Sequence, residues 1–473
     1  MIPGLANATQ SNLWSQRMLI RLAIIAAVLI LSAIAGWAGS PSILILALAL
    51  MGTLFIFFKP TVGLIALLVA ALAIPFQIDT GTQTPIHGTL ILIPALFGIW
   101  LVDLFRWSAI RIIPSQTTLP LIALSIVAVV ACITGNLPWN YFAERVSWQA
   151  QLGGLSVFLF SAMVFFLSGN LIKDLRWLQT LTWVFLALGG TYIAGRLIPA
   201  LGQYAVAWMQ DGATGSLFWI LLVALAWGQC LFNTRLNWVL RLALGALAIA
   251  TLAVGWFQGK SWAAGWLPPL VAFGIIFWLR FPRIGTLLVA SGIAIFAIKF
   301  SSVVYIVSSD AQGTLFPLYA RLAAWQIALQ ATTPNLLLGL GPSNYYNYVQ
   351  LYPIFGYHVR FSSHNNYIDL VAQTGLLGLA AFLWFIAAYA REGWSLRHRV
   401  NDGFSIAYAS ACLGALIGTL AACFLGDWFL PFVYNIGLKG FRASMLGWLF
   451  LGGLIAIKGF VESEPAPPDP GFD

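Results

Sequence analysis

Charge is what this sequence has least of. Only 8% of its 473 residues are Asp, Glu, Lys or Arg, while 60% are apolar; a soluble globular chain carries about a quarter charged residues. That imbalance excludes a soluble domain. The 23 Lys and Arg stand singly between apolar blocks, and the net charge of +9 includes no basic run and no basic amphipathic face, which excludes nucleic acid as a partner. Cysteine is equally sparse. Cys132, Cys230, Cys412 and Cys423 lie in or at the ends of apolar blocks without CxxC or Cys/His spacing, so neither a disulfide framework nor a zinc site is indicated. Internal repeats of roughly 20 to 50 residues are absent, which weighs against a solenoid.

Long apolar runs are abundant. With roughly 20 apolar residues needed per crossing, they predict an all-α integral membrane protein of roughly 12 to 14 transmembrane helices. The blocks run near 19–37, 41–58, 60–78, 88–105, 118–134, 152–172, 176–198, 214–232, 238–256, 262–279, 283–300, 366–390, 405–425 and 443–459. Either of two pairs, around Lys59 and around Lys260, would reduce the count if it formed a re-entrant hairpin. With the N-terminus inside, Arg145, Arg196, Lys260, Lys299, Arg321, Arg360, Lys439 and Arg442 face outward, and the other 15 of the 23 cations face inward. Cytoplasmic segments hold the excess of Lys and Arg, so both termini are expected inside. Ala33, Ile34 and Ala35 mimic a signal-peptidase site, but the long uncharged stretch before Arg17 speaks against cleavage. The expected organisation is an N-terminal bundle over 1–300, one large extracytoplasmic loop over 301–365 with short amphipathic helices, C-terminal helices over 366–461, and an acidic, Pro-rich disordered tail over 462–473.

The chemistry-bearing residues gather in and around that loop. Leu318, Arg321, Leu322, Trp325 and Leu329 recur at helical spacing between Pro317 and Pro334, which reads as a short helix lying at the membrane interface. Arg321 sits on its apolar stripe, where it either snorkels to lipid phosphate or clamps a phosphate bidentately. Gly339 and Gly341 follow; such glycines can aim amides at an anion or simply permit a tight turn. Then Ser363, His364, Asn365 and Asn366 precede an apolar helix. At 100° per residue, Gly375 and Gly378 fall within about 40° of His364, a small-residue face that would turn the imidazole into the bundle. Asp369 lies about 140° from His364, which argues against a direct dyad. Asp427, at the outer end of a span, is an interfacial acid or else orients His364 or binds sugar. Arg360, His358 and Tyr345 are loop residues with either a solvated or a substrate-binding role.

In this order, Lys260-Ser261-Trp262, Arg321 with Trp325, Pro334 with Gly339 and Gly341, and His364-Asn365 with Gly375 and Gly378, the sequence resembles the O-antigen ligase and polymerase superfamily over about 120 residues. The resemblance implies a membrane glycosyltransferase of the bacterial cytoplasmic membrane. Such an enzyme moves a glycan from an undecaprenyl diphosphate carrier to an acceptor hydroxyl on the outer face. It further implies His364 as the catalytic residue and Arg321 and Lys260 as diphosphate-binding residues; Arg360, Asn365, Tyr345 and Asp427 are, from their positions in the sequence, possible substrate contacts. Lys260 departs from the pattern, since the family commonly has arginine there; lysine keeps the charge without the bidentate fork. No outward acid forms an Asp-x-Asp pair, so metal-independent, inverting transfer is expected, with no cofactor. The resemblance implies a glycan or a lipid-linked glycan as acceptor. A polymerase of the same superfamily is the alternative within the enzyme class. A small-anion transporter is the alternative outside it, though transport sites usually lie at the bilayer midplane.

Overall fold

A computed structural model describes residues 59–74, 77–78, 84–106, 112–308 and 315–463. The blocks at 19–37 and 41–58, the Ala33–Ala35 site and the tail beyond Ser463 lie outside the described residues. The chain divides into two compact units, Met1–Gly63 and Leu64–Asp473, and every candidate residue belongs to the second.

In chain order the elements are α1 (Pro60–Ala73), a two-stranded antiparallel ribbon of β1 (Gln77–Ile78) and β2 (Ile86–His87), α2 (Gly88–Arg106), α3 (Thr118–Thr134), α4 (Trp148–Leu171) and α5 (Leu175–Leu197). Next come α6 (Pro199–Ala213), α7 (Ser216–Phe232), α8 (Trp238–Gln258), α9 (Ala263–Arg280), α10 (Pro282–Ile298) and α11 (Phe300–Ser308). The chain finishes with α12 (Phe316–Thr332), α13 (Tyr345–Tyr348), α14 (Asn366–Arg399), α15 (Gly403–Leu425) and α16 (Phe441–Ser463). Among the described residues, seven helices are long and apolar enough to cross a membrane and four apolar ones are shorter. The chain is a multi-pass helical membrane protein. The block pair around Lys260 forms two separate helices, α8 and α9, and α6 occupies a stretch that the apolar pattern left between blocks.

Apolar surface cannot distinguish a neighbouring helix from lipid, so helices in a bilayer are joined by close packing and polar bonds. The latter are frequent here. Ser168 donates to the carbonyl of Leu449 at 2.6 Å and Tyr408 to that of Phe450 at 2.7 Å, tying α4 and α15 to α16. Arg442, counted from the sequence among the outward cations, is buried, and its guanidinium donates to the carbonyls of Ala70, Ala71 and Ile74 at the C-terminal end of α1. A cation there satisfies carbonyls that the helix itself leaves open.

One expectation is overturned. The helical projection that placed Gly375 and Gly378 on the face of His364 assumes an unbroken helix that includes the histidine. In the structure His364 precedes the N-cap residue, and α14 breaks at Gly375, whose φ of 69° and ψ of −170° lie outside the helical range. The break is filled by the segment before α13. The amides of Leu340 and Gly341 donate to the carbonyls of Ala372 and Gln373, and the amides of Leu376 and Leu377 donate back to the carbonyls of Leu336 and Leu337. Gly339 and Gly341 therefore face a broken helix rather than an anion. A Cβ on Gly339 would stand 2.7 Å from the backbone of residues 373–375.

Candidate active site

His364 has φ of 50°, a left-handed conformation that His adopts more readily than most residues but which still costs free energy outside a turn. Its neighbours hold it there. On one side the Ser363 hydroxyl donates to Asp369 Oδ1 at 2.7 Å, its amide donates to the Tyr345 hydroxyl at 3.2 Å, and its carbonyl accepts from the Trp325 indole at 2.7 Å. Tyr345 in turn donates to Asp369 Oδ1 at 2.5 Å and stacks on Phe432, ring centroids 4.5 Å apart. On the other side Asn365 caps α14, its Oδ1 accepting from the amides of Tyr367 and Ile368, as a short polar side chain does at a helix N-cap. Asn366 next to it bonds the backbone of Phe429 and Leu430 through both ends of its amide.

The loop after α15 supplies the imidazole's partner. Asn435 Nδ2 donates to His364 Nδ1 at 3.1 Å and also to Asp427 Oδ1, whose other oxygen accepts from the Phe432 amide at 2.7 Å. Asp427 is buried, with no cation among these partners. Burial pushes its carboxyl up to about 6, the hydrogen bonds from Phe432 and Asn435 opposing the rise.

His364 and Arg321 line one cavity of about 330 Å³ together with Pro317, Ala320, Ala324, Ile354, Phe361 and Ser362. Its volume falls in the range of small-ligand sites, roughly 300 to 1,000 Å³. Among the described residues Arg321 has no hydrogen bond or ion pair. Burial lowers its pKa, yet an arginine stays charged at neutral pH. The imidazole is held below its ordinary pKa, first by partial desolvation and then by the charge of Arg321. The cavity thus pairs an unpartnered cation with an imidazole biased toward its neutral form, a set that can bind an anion and exchange a proton beside it.

The remaining sequence candidates separate. Lys260 is exposed in the turn between α8 and α9, its ammonium 5.8 Å from the Trp256 ring, and it is not among the residues lining the cavity. The same turn does approach the Asp427 loop, since Trp262 packs edge-on against Trp428 at 5.6 Å. Arg360 and His358 are exposed and both bond Gln350, through its side chain and its carbonyl respectively. Tyr345 is fully buried and Asn365 nearly so; their polar atoms are spent on Asp369 and on the helix cap, so they shape the site rather than face the cavity. Asp369 has no hydrogen bond to His364 among the described residues, but it anchors the residue before the histidine; the helical spacing of the two does not decide this, because His364 lies outside the helix. Sequence reasoning named Ser363 without giving it a role and missed Asn435. The role of Ser363 could have been found from the cap pattern ahead of α14, whereas Asn435 lies 71 residues from His364 and carries no local signal.

A multi-pass helical membrane protein with a cationic, imidazole-lined cavity at one end of its bundle is the class that fold and site define. Residues 220–383 match the family model described as O-antigen ligase, and this segment is an O-antigen ligase superfamily domain. No curated protein matches the chain. Lys260, Arg321 and His364 fall inside the matched segment, and Asp427 and Asn435 outside it.

Proposed function

We propose that this protein is a ligase-type glycosyltransferase that moves a glycan from an undecaprenyl diphosphate carrier to an acceptor hydroxyl at the outer face of the bacterial cytoplasmic membrane. The single observation carrying this reading is that an unpartnered Arg321 and His364 line one cavity. Glycosyl transfer from a diphosphate carrier builds negative charge on the leaving group, and a cation lining the site stabilises that charge as it grows. It also draws a proton from the attacking hydroxyl. His364 meets that hydroxyl with Nε2, the ring nitrogen left without a partner among the described residues; its lowered pKa keeps the ring neutral at pH 7, and Nε2 takes the proton in the tautomer that carries the ring proton on Nδ1. Lys260 adds a second positive charge toward the lipid head, and Arg360 a further contact to the acceptor glycan. Attack opposite the diphosphate inverts the anomeric centre. Transfer is metal-independent in this reading, because the carboxylates nearest the imidazole, Asp369 and Asp427, are buried and already accept protein donors. Polymerisation of lipid-linked repeats uses the same chemistry with a second carrier-linked glycan as acceptor.

The test is reconstitution. Purified protein is incubated with lipid-diphosphate glycan and with lipid-linked or free glycan acceptors, and the products are identified by mass spectrometry. Joined product is expected from wild type, and none above background from His364→Ala folded to the same extent. Full transfer by His364→Ala, or no product with any acceptor, overturns the reading.

A further inference from the structure

We propose that Asn435 is a positioning residue: its side-chain amide reads the charge of Asp427 and thereby sets which ring nitrogen of His364 carries the proton. The inference rests on the reading of His364 as the group that meets the acceptor hydroxyl, and it adds a residue 71 positions away that lies outside the matched family segment.

The argument is one of hydrogen-bond valence. A carboxamide has two N–H donors on one end and a lone-pair oxygen on the other. Asn435 spends its NH2 end on two acceptors, Asp427 Oδ1 and His364 Nδ1. An ionised carboxylate only accepts, so it requires the NH2 end of the amide to face it, and the second hydrogen of that end reaches the imidazole. Nδ1 is then an acceptor, the neutral ring keeps its proton on Nε2, and the nitrogen without a protein partner is a donor, unable to take a proton from a hydroxyl. When Asp427 gains a proton the requirement reverses. With the amide turned over, Asn435 Oδ1 accepts both from the Asp427 carboxyl and from Nδ1–H, and Nε2 presents a lone pair. One proton enters from solvent onto Asp427, and the ring proton exchanges through solvent from Nε2 to Nδ1; no other bond changes.

The surroundings allow the second state to be populated. Asp427 is buried with no cation among its hydrogen-bond partners, and that burial lifts its carboxyl above the ordinary carboxylate range, so the protonated state gains population as the pH falls toward the acid side of neutrality. Asp369 on α14 and the Tyr345 hydroxyl on α13 are the titratable groups whose charge acts on or feels Asp427. Arg321 on α12 is the cation acting on the imidazole; it favours neutral over doubly protonated histidine and so leaves the choice between the two neutral tautomers to Asn435.

The experiment reads the tautomer directly and does not depend on turnover. Protein labelled with 15N-histidine is reconstituted in lipid, and the imidazole nitrogens of His364 are followed by solid-state NMR from pH 5.5 to about 8.5, identified by their loss in His364→Ala. Wild type is expected to carry the proton on Nε2 at high pH and to shift toward Nδ1 as the pH falls. Asp427→Asn, whose amide NH2 imitates the carboxyl donor, is expected to hold Nδ1–H throughout, and Asn435→Ala to lose the transition. In transfer assays wild type is expected to slow by about 10-fold per pH unit once the pH exceeds the raised pKa of Asp427, a limb that Asp427→Asn lacks. A His364 tautomer that ignores pH in wild type overturns the proposal, even where transfer itself depends on His364. A tautomer that follows Asp427 supports it, even where no acceptor tried is glycosylated.

Discussion

Single side chains at the site divide by whether they face the cavity. Arg321 does, and its readings as a lipid-snorkelling cation and as a phosphate clamp make opposite forecasts. If it holds the diphosphate, Arg321→Ala slows single-turnover transfer on the order of 100-fold or more, the usual loss when one transition-state donor is removed. Arg321→Lys is then impaired as well, because the planar fork is gone. A silent lysine variant with unchanged donor affinity identifies the snorkelling role. Lys260→Arg is expected to be tolerated in the same assay, since an exposed point charge is replaced by another cation. Asp427 carries a stability forecast with a definite sign. Its folded pKa of about 6 exceeds the unfolded value near 3.9, so the native state binds the proton more tightly. The stabilisation is therefore complete below about pH 4 and is lost as the pH rises through about 6. Asp427→Asn cannot ionise and escapes that loss. Its thermal midpoint in detergent is expected to exceed that of wild type at about pH 7.5, with the advantage vanishing near pH 4. An advantage of equal size at both pH values removes the linkage.

At the scale of elements, the break in α14 is what lets the pre-α13 segment bond the backbone of residues 372–377. A methyl group on Gly375 would meet the Leu337 carbonyl oxygen at 2.1 Å, in a backbone conformation that L-residues avoid. Gly375→Ala is expected to cost at least ~3 kcal/mol, seen as loss of monodisperse protein on size-exclusion chromatography, whereas Gly274, with open space around it, tolerates alanine. Much of this element structure was legible beforehand. The Arg321 helix could be read from its stripe and its flanking prolines, and α3 begins and ends at the limits of its apolar block. The break at Gly375 could not, because glycine in an apolar run serves a continuous packed helix as well as an interrupted one, and the choice rests on carbonyls and amides of residues 336–341 that are distant in sequence.

Across the whole molecule the two ends of the bundle are built differently. At the end away from His364, Glu392 on α14 accepts from Lys458 on α16, and from the Ser115 hydroxyl and Gln116 amide at 2.7 and 2.9 Å. This buried pair joins three segments more than seven turns along the helix from Asn366, at roughly 3.6 residues per turn. Removing Glu392 leaves Lys458 with the Glu462 carboxylate at 3.7 Å but takes the acceptor from the Ser115 hydroxyl and the Gln116 amide, so Glu392→Ala is expected to lower stability by about 1–3 kcal/mol while leaving transfer per folded molecule unchanged; a large drop in specific rate would show that the two ends are coupled. The contrast marks where sequence reasoning stops. Composition alone determined a multi-pass helical protein, because a bilayer demands apolar runs of a set length whatever surrounds them, and local spacing marked Arg321 and His364, because chemistry requires a cation and an imidazole of those kinds. Tertiary structure decided that these two share a cavity while Lys260 does not line it. It also decided that Tyr345, Asn365 and Asp369 are buttresses, and that Asn435 links Asp427 to the imidazole. Those outcomes depend on contacts between residues tens to hundreds of positions apart, formed by the burial of side chains whose neighbours no local pattern names.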